Sequence, residues 1–210
     1  MHDAHQKLDD AKVAEVLDAL NPELAAGDFE ATMASIVARD LPFYPGISYM
    51  DVADHRAQPP RRVHILYRHP RDEQTSPEIK ILDWTNEPIY AVNQNAPIRL
   101  SEDSVREYLR FFFSMVRGRH GRFIITETVD DINWQEEPPP AARKAVSKMI
   151  EPVRIAGTDE DGTYHLRVCL MFKDSLFKAL VKVTEKGEVE ISEEELVIED
   201  MPVIDDTIGQ

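Results

Sequence analysis

The chain has 210 residues, of which 42% are hydrophobic and 30% charged, as in an ordinary globular protein with one sizeable core. Its net charge of −15 argues against general nucleic-acid binding, because attraction to phosphate supplies the sequence-independent part of that binding. With no apolar run near the roughly 20 residues of a membrane helix, no secretory signal and a single cysteine, Cys169, we expect a cytoplasmic protein without membrane segments or disulfides.

The first 40 residues show helical spacing of apolar side chains in two stretches. Residues 9–20 place one apolar stripe on a helix that ends before the Asn21-Pro22 step, because a residue before proline is disfavoured in the helical region. From Asp28 onward the spacing again matches a helix. The residues that carry this second pattern are Phe29, Met33, Ile36 and Val37. The pattern predicts a helical hairpin over residues 1–40.

Residues 41–60 contain four prolines and no lasting period, which predicts a long loop. Asp51, Asp54 and His55 are metal-ligand types at close spacing within this loop. No second cluster of such residues lies close in sequence, and loops rich in Asp and His are common without metals. We therefore expect no metal site.

Residues 61–69 alternate cleanly between apolar and polar side chains, which predicts a half-buried strand with His64 on its outer face. Residues 79–84 and 89–92 are short apolar stretches joined by Thr85-Asn86-Glu87-Pro88, and this spacing predicts a hairpin of two more strands. Tyr90 lies in the second of them.

The clearest helix covers residues 101–117. Ser101 is a good N-cap, acidic residues follow it in the first turn, and Gly118 is suited to a left-handed turn past the end. Apolar side chains, with Tyr108 and Phe112 among them, fill an arc of roughly 200° around the helix. So wide an arc predicts that this helix is the main packing partner of a sheet.

Downstream of the helix, residues 123–128 predict a strand, residues 140–150 a helix, and residues 153–191 a meander of antiparallel strands. In the strand of residues 164–172, the even-numbered side chains are the inner set, while His165, Cys169 and their odd-numbered neighbours face the other way. Such alternation predicts a sheet with one solvated face.

Together these elements predict one α+β domain with an antiparallel sheet of about seven or eight strands and a long central helix packed on it. We divide the chain into a helical hairpin at 1–40, the α+β body at 41–200 and a loosely ordered tail at 201–210. The layout resembles that of cystatin-like domains. This likeness concerns the arrangement of elements and carries no function.

The sequence shows none of the familiar catalytic or cofactor motifs. It has no phosphate-binding glycine loop, nucleophile elbow, paired-cysteine metal site or HExxH. Cys169 lies in the middle of a predicted strand with nothing to activate it, so we interpret it as a structural thiol. We expect no cofactor, no metal and no catalytic residue, and we lean against an enzyme.

A basic turn follows the central helix and stands out in an otherwise acidic chain. It consists of Arg117, Arg119, His120 and Arg122, flanked by glycines. The helix dipole explains one cation at the helix C-terminus, Arg117. The other three basic residues lie beyond the end of the helix. Arginine suits carboxylate and phosphate, so the turn is a candidate anion site. The alternative is neutralisation by the acidic region at 185–210, which carries ten carboxylates and one lysine.

Two functions remain open. The first is a non-enzymatic protein-binding or adaptor module that uses the acidic C-terminal region or the basic turn. The second is a small-molecule binder or enzyme whose pocket lies between sheet and central helix. The candidate pocket residues are His64, Tyr90, Tyr108 and His165. The absence of a catalytic motif favours the first, and the sequence does not indicate an oligomeric state.

Overall fold

A computed structural model of the chain describes residues 5–72, 74–96 and 98–204. These residues form two compact units, one ending at Asp83 and the other beginning at Trp84. The α+β class and the antiparallel pairing are confirmed. The described residues form two sheets of five strands each, with four α-helices, and not the single sheet of seven or eight strands that the sequence suggested.

The first unit contains one helix and a five-stranded meander. In chain order its elements are β1 (Gln6–Lys7), α1 (Asp10–Leu20), β2 (Ala34–Asp40), β3 (Ile47–Asp54), β4 (Arg61–Arg68) and β5 (Glu78–Leu82). The strands lie in the order β1-β2-β3-β4-β5, and each pairs antiparallel with its neighbour. Consecutive strands are therefore adjacent, as expected where connections are short.

Helix α1 forms where its stripe predicts, and the side chain of Asp9 caps it by accepting from the backbone N–H of Lys12 at 2.9 Å. The stripe packs on the inner face of the sheet in one apolar cluster. Its fully buried members include Val13, Val16, Leu17, Leu20, Ile36, Met50, Val52 and Ile65. At about 25 cal/mol per Å² of buried apolar surface, such a cluster is the main source of this unit's stability.

The predicted second helix is wrong. Residues 31–33 form one 3-10 turn, and the chain then enters β2, which pairs along its length with β3. Strand β3 lies inside the stretch predicted as a loop, so that prediction is also wrong. The apolar spacing of Ile36 and Val37 suits either element, and β-branched residues favour the strand once a partner strand exists.

The second unit begins with helices and ends with a sheet. Its elements are α2 (Glu87–Asn95), α3 (Glu102–Met115), β6 (Phe123–Ile125), α4 (Pro140–Ser147), β7 (Arg154–Thr158), β8 (Tyr164–Phe172), β9 (Ser175–Val183) and β10 (Val189–Ile198). Strand β8 pairs with β9 on one edge, and β7 and β6 share its other edge. The strand predicted at residues 89–92 is instead part of α2, whose first turn holds Pro88.

Helix α3 is confirmed together with its cap. Ser101 accepts from the backbone N–H of Ser104, whose own hydroxyl accepts from the Ser101 N–H in return. Ring contacts lead from Phe113 on the helix to Phe123 on β6, and from Phe123 to Phe172 on β8. The helix therefore packs on this sheet.

The end of α3 differs from the prediction. Val116 follows the helix in an extended conformation, and the glycine with positive φ is Gly121 (φ 137°), while Gly118 keeps a negative φ. Gly118 and Gly121 pair with each other across the turn by two backbone hydrogen bonds. The basic turn is thus a small closed loop.

The second face of β8 is covered at one end, contrary to the prediction of a solvated face. Cys169 and Met171 are buried there in an apolar cluster. The other buried members are Ile132, Ile150, Leu176, Met201 and Val203. Met201 and Val203 belong to the predicted loose tail, and they are fixed in this cluster; residues 205–210 lie outside the described part of the chain.

Within the described ranges, the model contains no helix with the length and hydropathy required to cross a membrane.

Candidate functional site

The first unit contains a cavity of about 810 Å³. It lies between α1, the neighbouring ends of β2, β3 and β4, and the loop of residues 41–46. Val16, Tyr44, Ile47 and Met50 contribute to its apolar lining. Small-molecule sites commonly have volumes of about 300–1,000 Å³ and combine apolar walls with a few placed polar groups.

The register of the sheet places polar side chains together at one end of this cavity. Asp40 on β2 faces Ser48 on β3, and Ser48 faces Tyr67 on β4. His69 follows two residues after Tyr67, so the two side chains point to the same side of the sheet. All four residues line the cavity, and Ser48 is only 3% exposed.

Asp40, Ser48 and His69 form a hydrogen-bonded chain. The Ser48 hydroxyl donates to Oδ1 of Asp40 at 2.7 Å, and its oxygen lies 2.7 Å from Nε2 of His69. An ionised carboxylate only accepts, so the single hydroxyl hydrogen of Ser48 is directed at Asp40. His69 must then donate from Nε2, and in a neutral ring Nδ1 carries no hydrogen and is an acceptor.

The direction of these hydrogen bonds decides what Asp40, Ser48 and His69 can do chemically. A serine activated as a nucleophile gives its hydrogen to a histidine that acts as base. Here the Ser48 hydroxyl hydrogen is engaged by Asp40, and His69 is a donor to the same oxygen. The arrangement fixes the three side chains in place and suits recognition of a ligand.

Tyr67 on β4 and Glu15 on α1 both line the cavity. The buried Tyr67 hydroxyl interacts with Glu15, and burial, followed by the charge of Glu15, raises the pKa of Tyr67. Tyr67 therefore remains a donor at neutral pH. The His69 ring meets the Tyr67 ring edge-on, with centroids 5.1 Å apart.

The loop of residues 41–46 is tied to the sheet beside the chain of three residues. The backbone N–H of His69 donates to the carbonyl of Gly46 at 3.0 Å. Gly46 has φ +76°, a conformation that glycine adopts without steric cost. The cavity rim is therefore set by backbone contacts as well as by side chains.

The predicted pocket residues have several different environments. His64 lies on the other face of β4 from Tyr67 and its Nδ1 is 2.7 Å from the Tyr49 hydroxyl. The two rings are stacked, and burial, followed by the charge of Asp51, raises the pKa of Tyr49. His165, in the second unit, places Nε2 2.7 Å from Oδ2 of Asp159 and so closes the β7–β8 turn.

Tyr90 and Tyr108 are brought together by the structure, at the turn between β9 and β10. The Tyr90 hydroxyl accepts from the backbone N–H of Val189 at 3.0 Å, and the Tyr108 hydroxyl donates to the carbonyl of Gly187. Asn93 on α2 donates to the carbonyl of Lys186 at 3.0 Å. These three side chains satisfy backbone groups of the turn, a structural role.

The basic turn carries one cation that is stacked on an aromatic ring. The guanidinium of Arg117 lies 3.9 Å from the centroid of the Trp84 ring, and its backbone N–H donates to the Trp84 carbonyl at 2.8 Å. Arg119 and His120 are exposed in the loop closed by the glycine pair. Binding of an anion by Arg117, Arg119, His120 and Arg122 stays a prediction.

The Asp and His residues considered as metal ligands each contact protein groups. Arg56 binds Asp54 through its guanidinium, and this hydrogen bond lowers the pKa of Asp54 to about 2. His55 contacts the Ser35 hydroxyl at 2.8 Å, and Arg62 pairs with Asp51. Across the described residues, the structure shows no group of three His, Cys, Asp or Glu side chains placed to hold a metal ion.

A smaller groove of about 330 Å³ lies on the second sheet, among charged side chains of β8, β9 and β10. Lys178 pairs with Glu151 at 2.9 Å in this groove, while Glu193, Glu194 and Glu195 line its edge and are exposed. Cys169 is buried below it and its Sγ accepts from the backbone N–H of Glu151 at 3.4 Å. Cys169 has the packed environment expected of a structural thiol.

The sequence did not identify Asp40, Ser48 and His69 as a group. They lie 8 and 21 residues apart, and only the register of three strands brings them together. The region that holds Ser48 reads as a loop because of its prolines and glycine. If β2 and β3 had been predicted correctly, the polar residues at the ends of that hairpin would have been the one available signal for the site.

Comparison of the chain with protein-family models, with curated proteins and with solved structures found no match.

Proposed function

We propose that the first unit binds a small amphipathic molecule in the cavity between α1 and the ends of β2, β3 and β4. The observation that carries this proposal is the cavity itself: about 810 Å³, with both apolar and polar side chains in its lining and the Asp40–Ser48–His69 chain at one end. A site of this size and composition is the usual form of a small-molecule pocket.

The hydrogen-bonded chain supports binding because it holds polar atoms in fixed positions. Burying a hydroxyl without a partner costs free energy, and Ser48 avoids that cost by bonding on both sides. Asp40 and His69, which flank it, are exposed residues of the cavity lining and can meet a ligand without rearranging. Such preorganisation lowers the entropic cost of association.

The same geometry favours binding over catalysis. The Ser48 hydrogen is directed to Asp40, so the serine is not prepared to attack an electrophile. The sequence left the question of an enzyme open and leaned against one. We propose a binding module whose ligand occupies the first unit.

The proposal is tested by filling the cavity. Ala38 lines it from β2, so Ala38→Phe should occupy its volume, and Ala57→Phe, on an exposed loop outside the lining, is the matched control. A screen of small amphipathic compounds by thermal shift should yield binders that stabilise the wild type and Ala57→Phe. A ligand at 100 times its Kd stabilises by about 2.7 kcal/mol. Equal stabilisation of Ala38→Phe would place the ligand elsewhere and refute the proposal.

A protein partner at the edge of the second sheet is the second candidate. The observation that favours it is the combination of exposed Glu193, Glu194 and Glu195 with Leu196, whose surface is 49% exposed, on edge strand β10. A basic partner would complement these charges. Reversing the three glutamates to lysine should abolish such binding without loss of stability; a stability loss that shrinks with added salt indicates an intramolecular role instead.

A further inference from the structure

Asp40, His69 and Glu15, all in the lining, offer hydrogen-bond acceptors to the cavity. Asp40 has a second carboxylate oxygen beyond the one that accepts from Ser48. In the neutral ring, Nδ1 of His69 is an acceptor because Nε2 donates to Ser48. Glu15, also in the lining, offers the lone pairs of a carboxylate. A ligand that satisfies these atoms must bring donors.

The fixed charge at the cavity is also negative. Ser48 holds the Asp40 carboxylate by a hydrogen bond, and Glu15 is a second acidic group of the lining. The cation of the lining, Lys12, is an exposed ammonium on a long flexible side chain of α1. The Asp40 carboxylate, oriented by Ser48, interacts with a ligand charge without first losing side-chain entropy, whereas a flexible lysine must lose it.

We infer that the cavity takes an amphipathic cation, with an aliphatic or aromatic body against Val16, Ile47 and Met50 and an amine or amidinium end at Asp40. This inference rests on the proposed function, since it names the ligand class of the same cavity. Asp40 is the better anchor of the two carboxylates because Ser48 orients it, and a charge-assisted hydrogen bond from an ammonium to a carboxylate is roughly twice as strong as a neutral one. Glu15, in the same lining, adds a second negative charge.

The test compares three probes that share one apolar body and differ at the polar end: hexylamine, 1-hexanol and hexanoate. Their Kd values for the full chain are measured by NMR titration at neutral pH. The expected order is hexylamine tightest and hexanoate weakest, with about tenfold or more between these two. The alcohol separates the contribution of the apolar body from that of the charge.

Two variants assign the charge to its anchor. Asp40→Asn keeps the shape and the hydrogen bond from Ser48 but removes the charge, and should reduce the hexylamine affinity about tenfold while leaving 1-hexanol nearly unchanged. Asp18→Asn, an exposed position on the same helix as Glu15 but outside the lining, is the charge-matched control and should leave all three affinities unchanged.

The outcomes separate this inference from the proposed function. If hexanoate binds as tightly as hexylamine, or if Asp40→Asn and Asp18→Asn weaken hexylamine equally, the inference is overturned and the cavity remains a small-molecule site. If neither 1-hexanol nor hexylamine binds, the proposed function fails, and the inference fails with it.

Discussion

The hydroxyl of Tyr108, on helix α3, donates a hydrogen bond to the carbonyl oxygen of Gly187, in the turn between β9 and β10. The two residues are 79 positions apart, and both are buried. Asn93 donates to the Tyr108 oxygen at 3.2 Å, so the helix, the turn and α2 meet at one hydroxyl. Burial raises the pKa of Tyr108, and the group therefore stays protonated as a donor.

Gly187→Ala should destabilise the second unit. Gly187 has φ +76°, and a Cβ there would lie 2.5 Å from the Asn93 side-chain nitrogen and 2.8 Å from the Tyr108 oxygen. The left-handed backbone and the overpacking together predict a loss of about 2–4 kcal/mol in denaturant titration. Gly157→Ala, where a Cβ meets nothing within 4 Å, is the control and should change stability by less than about 1 kcal/mol. Equal effects of the two changes would contradict this packing.

Phe112→Ala should cost about 3–5 kcal/mol, the range for emptying a packed aromatic site. Phe112 is 6% exposed and its ring contacts the rings of Tyr90, Tyr108 and Phe113. Urea titration measures the change, and Leu196→Ala, at a half-exposed position, should cost far less. A loss below about 1 kcal/mol for Phe112→Ala would mean that α3 is peripheral to the unit.

Asp54 should titrate well below the usual pKa of an aspartate. Hydrogen bonding to Arg56 lowers its pKa from 3.8 to about 2 in the folded protein. Because the folded value is depressed, the stability that this pair contributes is present above pH 3.8 and is lost as the pH falls toward 2. NMR of the carboxyl carbon measures the midpoint, and Arg56→Gln should return it toward 3.8. A wild-type midpoint near 3.8 refutes the assignment.

Phosphate should perturb the basic turn if the turn is an anion site. Arg119 and His120 are exposed in the loop closed by Gly118 and Gly121, which leaves their side chains accessible. Amide shift changes on titrating phosphate are expected at residues 119–122, and Arg119→Ala should weaken them about fivefold. Arg99→Ala, an exposed arginine before α3, is the control. Amide chemical shifts that stay unchanged up to the solubility limit of phosphate would refute the anion site.

The sequence predicted an element correctly where its pattern of residues fits only one kind of secondary structure. The cap at Ser101, the first helix and strand β4 each appear in the structure near the predicted positions. The spacing of Ile36 and Val37 fits both a helix and a strand. These residues form a strand because they pair with β3. Pro88 was taken as part of a turn, yet proline also suits the first turn of a helix.

The candidate site could not be predicted from the sequence, for a different reason. Asp40, Ser48 and His69 acquire their relation from strand register, which is a tertiary property. The same holds for the buried second face of β8, because Met201 and Val203 return from the far end of the chain to cover it. The sequence gives the type of each side chain, but it does not show which side chains become neighbours in the fold.

Methionine-methyl NMR gives the most direct test of the cavity as a small-molecule site. Met50 is 3% exposed and lines the cavity, whereas Met171 is 5% exposed and lies in the apolar cluster of the second unit. On titration with 1-hexanol or hexylamine, the Met50 methyl should shift until saturation and show nuclear Overhauser effects to the probe, while the Met171 methyl stays in place. A Met50 signal that does not move, or a Met171 signal that moves instead, would contradict the account.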